Sequence, residues 1–122
     1  MNTTVLVPRP ATLDGFTDDV SRREGINLRD LTPFSTVHVR TRNSLYRIVV
    51  LDGTRILVQG GQFFPESTDT HLSGSGLGGS LLKIGCIAVG LRMEFLLDHR
   101  RIVTSRVSEV SVDPPAPGDR PH

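Results

Sequence analysis

Two runs of β-branched and apolar residues flank the middle of the chain. Tyr46–Leu51 runs into Asp52-Gly53, and Thr54–Gln59 runs out again. Asp-Gly tolerates the positive φ angles of a tight turn, so the pair predicts a β-hairpin. Upstream, Thr36–Arg40 alternates: Val37 and Val39 lie on one face, and Thr36, His38 and Arg40 on the other. Tyr46 falls in step with Ile48 and Val50, which assigns it to the core or its rim, with a partner for its hydroxyl. Thr41–Ser44 reads as a polar turn or bulge. Downstream, Ile84–Leu97 puts Leu91, Met93, Phe95 and Leu97 on one face and Arg92 and Glu94 on the other. Asp98–Arg100 is a second turn. Arg101–Val112 supplies the last strand. Its apolar phase moves from Val103 and Val107 to Val110 and Val112, which predicts a bulge near Ser108-Glu109.

This pattern predicts five strands, or six if Ile84–Leu97 breaks at Gly90. So small a sheet curls to hide its edges. The fold class is therefore mostly β: a small five- to six-stranded antiparallel barrel or roll, SH3-like or OB-like. An open roll with a short N-terminal helix packed on it is the alternative. That helix would lie within Thr17–Gly25, where acids come first, bases follow and a glycine ends the run. Residues 1–26 form an N-terminal arm, and residues 27–112 the β-domain. Residues 60–80 read as an irregular insertion loop, with Gly60-Gly61, Pro65 and a glycine-serine stretch. The proline-rich residues 113–122 read as a disordered, extended tail.

A chain of 122 residues suits one domain with a core of its own. The single cysteine, Cys86, excludes an internal disulfide and a multi-cysteine zinc site. Its apolar neighbours mark it as a small buried hydrophobe. The N-terminus lacks the charge-then-apolar order of a signal peptide, and no apolar run reaches a membrane span, so the expected compartment is the cytoplasm and no membrane partner is expected. The net charge is +1, from 14 basic and 13 acidic residues. That is too mild for a dedicated nucleic-acid binder, although all the basic residues except Lys83 are arginine.

The arginines share one logic. Arg40, Arg42, Arg47, Arg55, Arg92, Arg100, Arg101 and Arg106 all fall on strands or tight turns. On one face they would form a stripe that tracks phosphates. Interleaved with Glu94, Asp98 and Glu109, they would instead form cross-strand pairs that keep the sheet soluble, which is the favoured reading. Phe63 and Phe64 are adjacent. If the chain is extended there, one packs inward and the other is free to stack a base or plug into a partner; burial of both beneath the long insertion is the favoured reading.

Gly74, Gly76 and Gly79 match the spacing G-x-G-x-x-G, with Gly78 between. The preceding segment is no buried strand and the following one is a poor helix, so a dinucleotide site lacks its context and no cofactor is expected. A backbone anion nest at these glycines stays open, beside a plain connector. His38, His71, His99 and His122 lack metal-site spacing, so no metal is expected. A triad could be drawn from Ser44, His99 and Asp69, and an acid pair from Glu94 and Asp98 with Glu66 or Asp69. Neither has a supporting motif, and no catalytic residue is assigned. The sequence points away from an enzyme. Its first reading is a protein-interaction or self-assembly module, with a homo-oligomer or a protein as partner. The second is a nucleic-acid-binding face built from the arginines with Phe63, Phe64 or Tyr46.

Overall fold

The computed structural model describes residues 20–22 and 24–115. These form β1 (Val20–Arg22), β2 (Gly25–Asn27), a 3-10 turn (Leu28–Asp30), β3 (Thr36–Thr41), β4 (Leu45–Asp52) and β5 (Arg55–Gly60). Then follow β6 (Phe64–Gly76), β7 (Leu81–Ile84), β8 (Cys86–Ala88), β9 (Arg92–Leu97) and β10 (Arg100–Asp113). All strand pairings are antiparallel. Hydrogen bonds run from β10 to β3, β4, β5, β6 and β9, and back to β10, so they close a ring. β1 flanks β10, β7 flanks β6, and β2 pairs with β8 in a separate ladder. The mostly-β class is as the alternation predicts. Among the described residues, no helix is long and apolar enough to cross a membrane.

The ring closes because β6 and β10 each serve two neighbours. The first half of β10 pairs with β9 and the second with β3 and β1. The register slips between Val107 and Glu109, where the shift in apolar phase places a bulge. A bulge adds twist and lets one strand change partners. The central hairpin forms, with Gly53-Thr54 as its turn and Asp52 opposite Arg55. Asp98 and His99 both take positive φ in the β9–β10 turn, as a tight hairpin needs.

The inward faces supply the core. Val37, Val39, Ile48, Val50, Ile56 and Val58 are each at most 1% exposed. Fully burying such a side chain contributes about 1.5–3 kcal/mol. At the centre, Phe64 meets Phe95 edge-on at 5.1 Å between ring centroids, and Tyr46 lies 6.5 Å from Phe95.

Three expectations are corrected. Residues 60–80 are not an irregular insertion: they hold the Gly61–Phe63 turn, all of β6 and the turn into β7. This strand looks polar because its outward residues Glu66, Ser67, Asp69 and His71 meet solvent, while Phe64, Thr70 and Leu72 point inward. Within Thr17–Gly25, Val20–Arg22 is a strand paired with Val110–Val112, and Gly25 opens β2. A short helix with no apolar face loses to a ladder on the free edge of β10. Residues 17–19 and 23 lie outside the described residues, as does the expected tail beyond residue 115, while Asp113 ends β10. Finally, Ile84–Leu97 breaks twice, at Gly85 and again around Gly90, so the described residues hold ten strands rather than five or six.

Candidate functional site

The arginines fall into separate groups. On β3 and β4, His38 lies directly opposite Arg47, and Arg40 opposite Leu45. These exposed side chains line a shallow groove of about 420 Å³ with Gln59, Glu109 and Ser111. Glu109 answers Arg40 at 3.4 Å. Arg55 forks onto Asp69 with contacts of 3.2 and 2.7 Å, and this pair holds the Asp69 carboxyl below its usual range. Arg101 reaches Glu94 at 3.4 Å and donates to the Gly78 carbonyl at 2.7 Å. Arg100 is exposed beside the β9–β10 turn. Cross-strand pairing thus occupies Arg40, Arg55 and Arg101. The Arg40–Glu109 and Arg55–Asp69 pairs are exposed on both sides and screened by solvent, whereas the carboxylate that Arg101 meets is buried.

Glu94 departs from its expected solvated setting. It is 4% exposed, and its Oε2 is buried with no hydrogen-bond partner among the described residues. Its other oxygen, Oε1, is the one that Arg101 reaches. Asp69 is held by Arg55, Ser44 sits in the β3–β4 turn and His99 in the β9–β10 turn. Cys86 is half-buried, and burial pushes its thiol pKa up, which disfavours the thiolate.

The glycine motif lies partly within the sheet. Gly74 and Gly76 are buried positions of β6, crossed closely by the main chain of Lys83 and Ser80. Gly78 and Gly79 form the turn beyond, closed by the Leu77 amide donating to the Ser80 carbonyl at 3.1 Å. The Gly78 carbonyl already faces a cation, Arg101. Past this turn, β7 is exposed at all four of its residues. Leu82 and Ile84 are 55% and 67% exposed, and Leu77 beside them is 59% exposed. β7 ends the sheet order, so among the described residues nothing pairs with its outer edge.

Phe63 and Phe64 separate: Phe64 is in the core and Phe63 is 51% exposed at the tip of the β5–β6 turn. Phe63 walls a second cleft, of about 520 Å³, where the β3–β4 and β5–β6 turns meet the start of β9 and the middle of β10. Asn43, Gln62, Arg92 and Ser105 contribute the polar lining. The Asn43 amide donates to Ser105 Oγ at 3.2 Å, and Arg92 donates from one terminal nitrogen to the Thr104 carbonyl at 3.2 Å. Arg42 joins the same region through its amide, which donates to the Arg106 carbonyl at 2.9 Å.

Tyr46 lies at the floor. Its ring packs so closely on Gly61 that a Cβ there would stand 2.6 Å from the hydroxyl. Burial raises the Tyr46 pKa, opposed by a hydrogen bond with Ser44. It is the sole tyrosine, and the chain has no tryptophan, so its phenolate absorbance is uncontaminated. Titration of the native protein is expected to give a midpoint above the free-phenol value of about 10, returning to that value in urea. The sign follows: this contribution to stability is complete below the unfolded pKa and is lost as pH rises through the folded one. A native midpoint at or below the urea value would contradict the burial.

No protein-family model, curated protein or solved structure matches the chain.

Proposed function

We propose that this chain is a non-catalytic self-assembly module that adds a second copy of itself along β7. The observation that carries the reading is a terminal strand whose four residues are all exposed and of which three are Leu or Ile. Such an edge exposes unpaired amides and carbonyls beside apolar side chains, and it is satisfied by another strand. The Gly85 amide points back to the Ser73 carbonyl, so by strand alternation the main-chain groups of Ile84 point away from β6. Lys83 is the only charge on the strand. A dyad centred on Leu82 or Ile84 sets Lys83 against Leu81 or Gly85 of the other copy, which avoids like charges in register. An SH3-like or OB-like barrel is the finer architecture that the ring supports. A nucleic-acid reading draws on the His38–Arg47 pair in the shallow groove, but Glu109 offsets the charge there.

Light scattering after gel filtration tests the assembly. The expected mass is about twice the 13.4 kDa of the chain, at low and high salt alike. The double variant Leu82→Lys, Ile84→Lys is expected to elute as a folded monomer, since both side chains are already exposed. A monomeric parent protein, or a double variant that still dimerises, would refute the edge. Co-elution with nucleic acid that salt strips away would favour the groove instead.

A further inference from the structure

We propose that the cleft walled by Phe63 binds a nucleotide, with its base stacked on Phe63 and its phosphate held by Arg92. The proposal is independent of the assembly through β7, because no β7 residue lines the cleft.

The cleft has the size of a small-molecule site, about 300–1,000 Å³. Its chemistry is divided in the way a nucleotide is. Phe63 offers a large apolar surface, half open to solvent, at the tip of a tight turn. An aromatic ring held out in this way stacks any base, because every base has a π-face. Arg92 anchors one terminal nitrogen on the Thr104 carbonyl, which fixes the guanidinium while its other N–H groups remain to donate. A planar cation held in place suits a phosphate better than a flexible one does.

The electrostatics agree. Among the described residues no carboxylate lines this cleft, in contrast to the shallow groove with its Glu109. Arg106 lies opposite Arg92 in the β9–β10 ladder, and Arg42 is tied to Arg106 through the main chain. Among the described residues no acidic side chain pairs with any of these three. Arg92, the one of the three that lines the cleft, thus offers a positive charge that no paired carboxylate cancels. Asn43 and Gln62 place side-chain amides on the rim, and an amide both donates and accepts, as the edge of a base requires. The backbone that carries Asn43 is pinned by Ser105 Oγ, so that part of the rim is pre-organised. Gly61 keeps the floor open at the Tyr46 hydroxyl.

A base joined to a phosphate occurs both in a free nucleotide and in a single strand. Amide NMR of the full chain, titrated separately with adenosine monophosphate, inorganic phosphate and a thymidine oligonucleotide, distinguishes these sources. Saturable shifts at Asn43, Gln62, Phe63, Thr104 and Ser105 are expected with the monophosphate. Phe63→Ala is expected to weaken that binding about fivefold or more while leaving the weaker phosphate response unchanged. Arg92→Gln is expected to remove the phosphate response. Tighter binding of the oligonucleotide at the same amides would identify a strand as the source, and tighter binding of the monophosphate a free nucleotide. The proposal falls if the monophosphate shifts none of these amides, if Phe63→Ala binds it as the parent does, or if the shifts gather on His38, Arg40 and Arg47.

Discussion

Phe64→Ala is expected to destabilise the fold by about 3–5 kcal/mol, whereas Phe63→Ala, one residue earlier, should change it by less than about 0.5 kcal/mol. Phe64 is 0% exposed and stands edge-on to Phe95 at the centre of the ring. Truncating it removes its transfer energy and leaves a cavity that β5, β6 and β9 cannot close without breaking ladders on both sides. Domains of this kind carry only about 5–15 kcal/mol in all, so a single methyl in place of this ring spends much of the margin. Urea melts of the two variants beside the parent protein read the difference directly as a shift in midpoint at constant slope. Equal midpoints for the two variants would mean that Phe64 is not the central packing residue. The contrast also keeps the cleft experiment clean, because the stacking residue can be removed without loss of fold.

The readable parts of this chain were the local ones. The hairpin announces itself because its turn chemistry and both strands lie within fifteen or so residues. Val37 and Val39 are legible because one face of β3 is buried and the other is wet. The bulge at Ser108-Glu109 shows as a change of apolar phase and is observed as a slip in register. β6 was hidden for the opposite reason. One of its inward positions is Thr70, which repays its burial by donating to the Leu96 carbonyl at 2.6 Å. A polar residue satisfied by a strand 26 positions away leaves no periodic signal. The burial of Glu94 is equally silent in the sequence, since it arises where β9 is flanked by both β6 and β10. The cleft walled by Phe63 is the least legible feature. The sequence offers Phe63 only alongside Phe64 and Tyr46, and Arg92 only as one of eight strand or turn arginines, while Asn43 and Ser105 meet across 62 positions of sequence. No spacing rule reaches that far, and Gln62 carried no signal at all.

Gly74→Ala is expected to cost more than about 3 kcal/mol and to free β7 from β6, while Gly79→Ala should be nearly neutral. Gly74 sits at φ +148°, a region that side chains rarely enter. A Cβ there would lie 2.2 Å from the Lys83 carbonyl oxygen and 2.9 Å from the Ile84 Cα. Both obstacles are main chain, so neither can rotate aside, and the strand itself must move. At Gly79 nothing lies within 4 Å of the same added atom. Two glycines of one motif therefore differ: Gly74 is required by the close crossing of two strands, whereas Gly79 has open space and no positive φ, so nothing there demands a glycine. The pair of variants bears on assembly as well. Gly74→Ala should lower the melting temperature and abolish the proposed dimer together, because it removes the strand that presents the edge. The double lysine variant of β7 should abolish the dimer with little change in melting. Thermal melts and light scattering on both proteins separate the two cases. A Gly74→Ala protein that melts and dimerises like the parent would show that β7 does not depend on the crossing at Gly74, and the edge would then have to be held by something other than its ladder with β6.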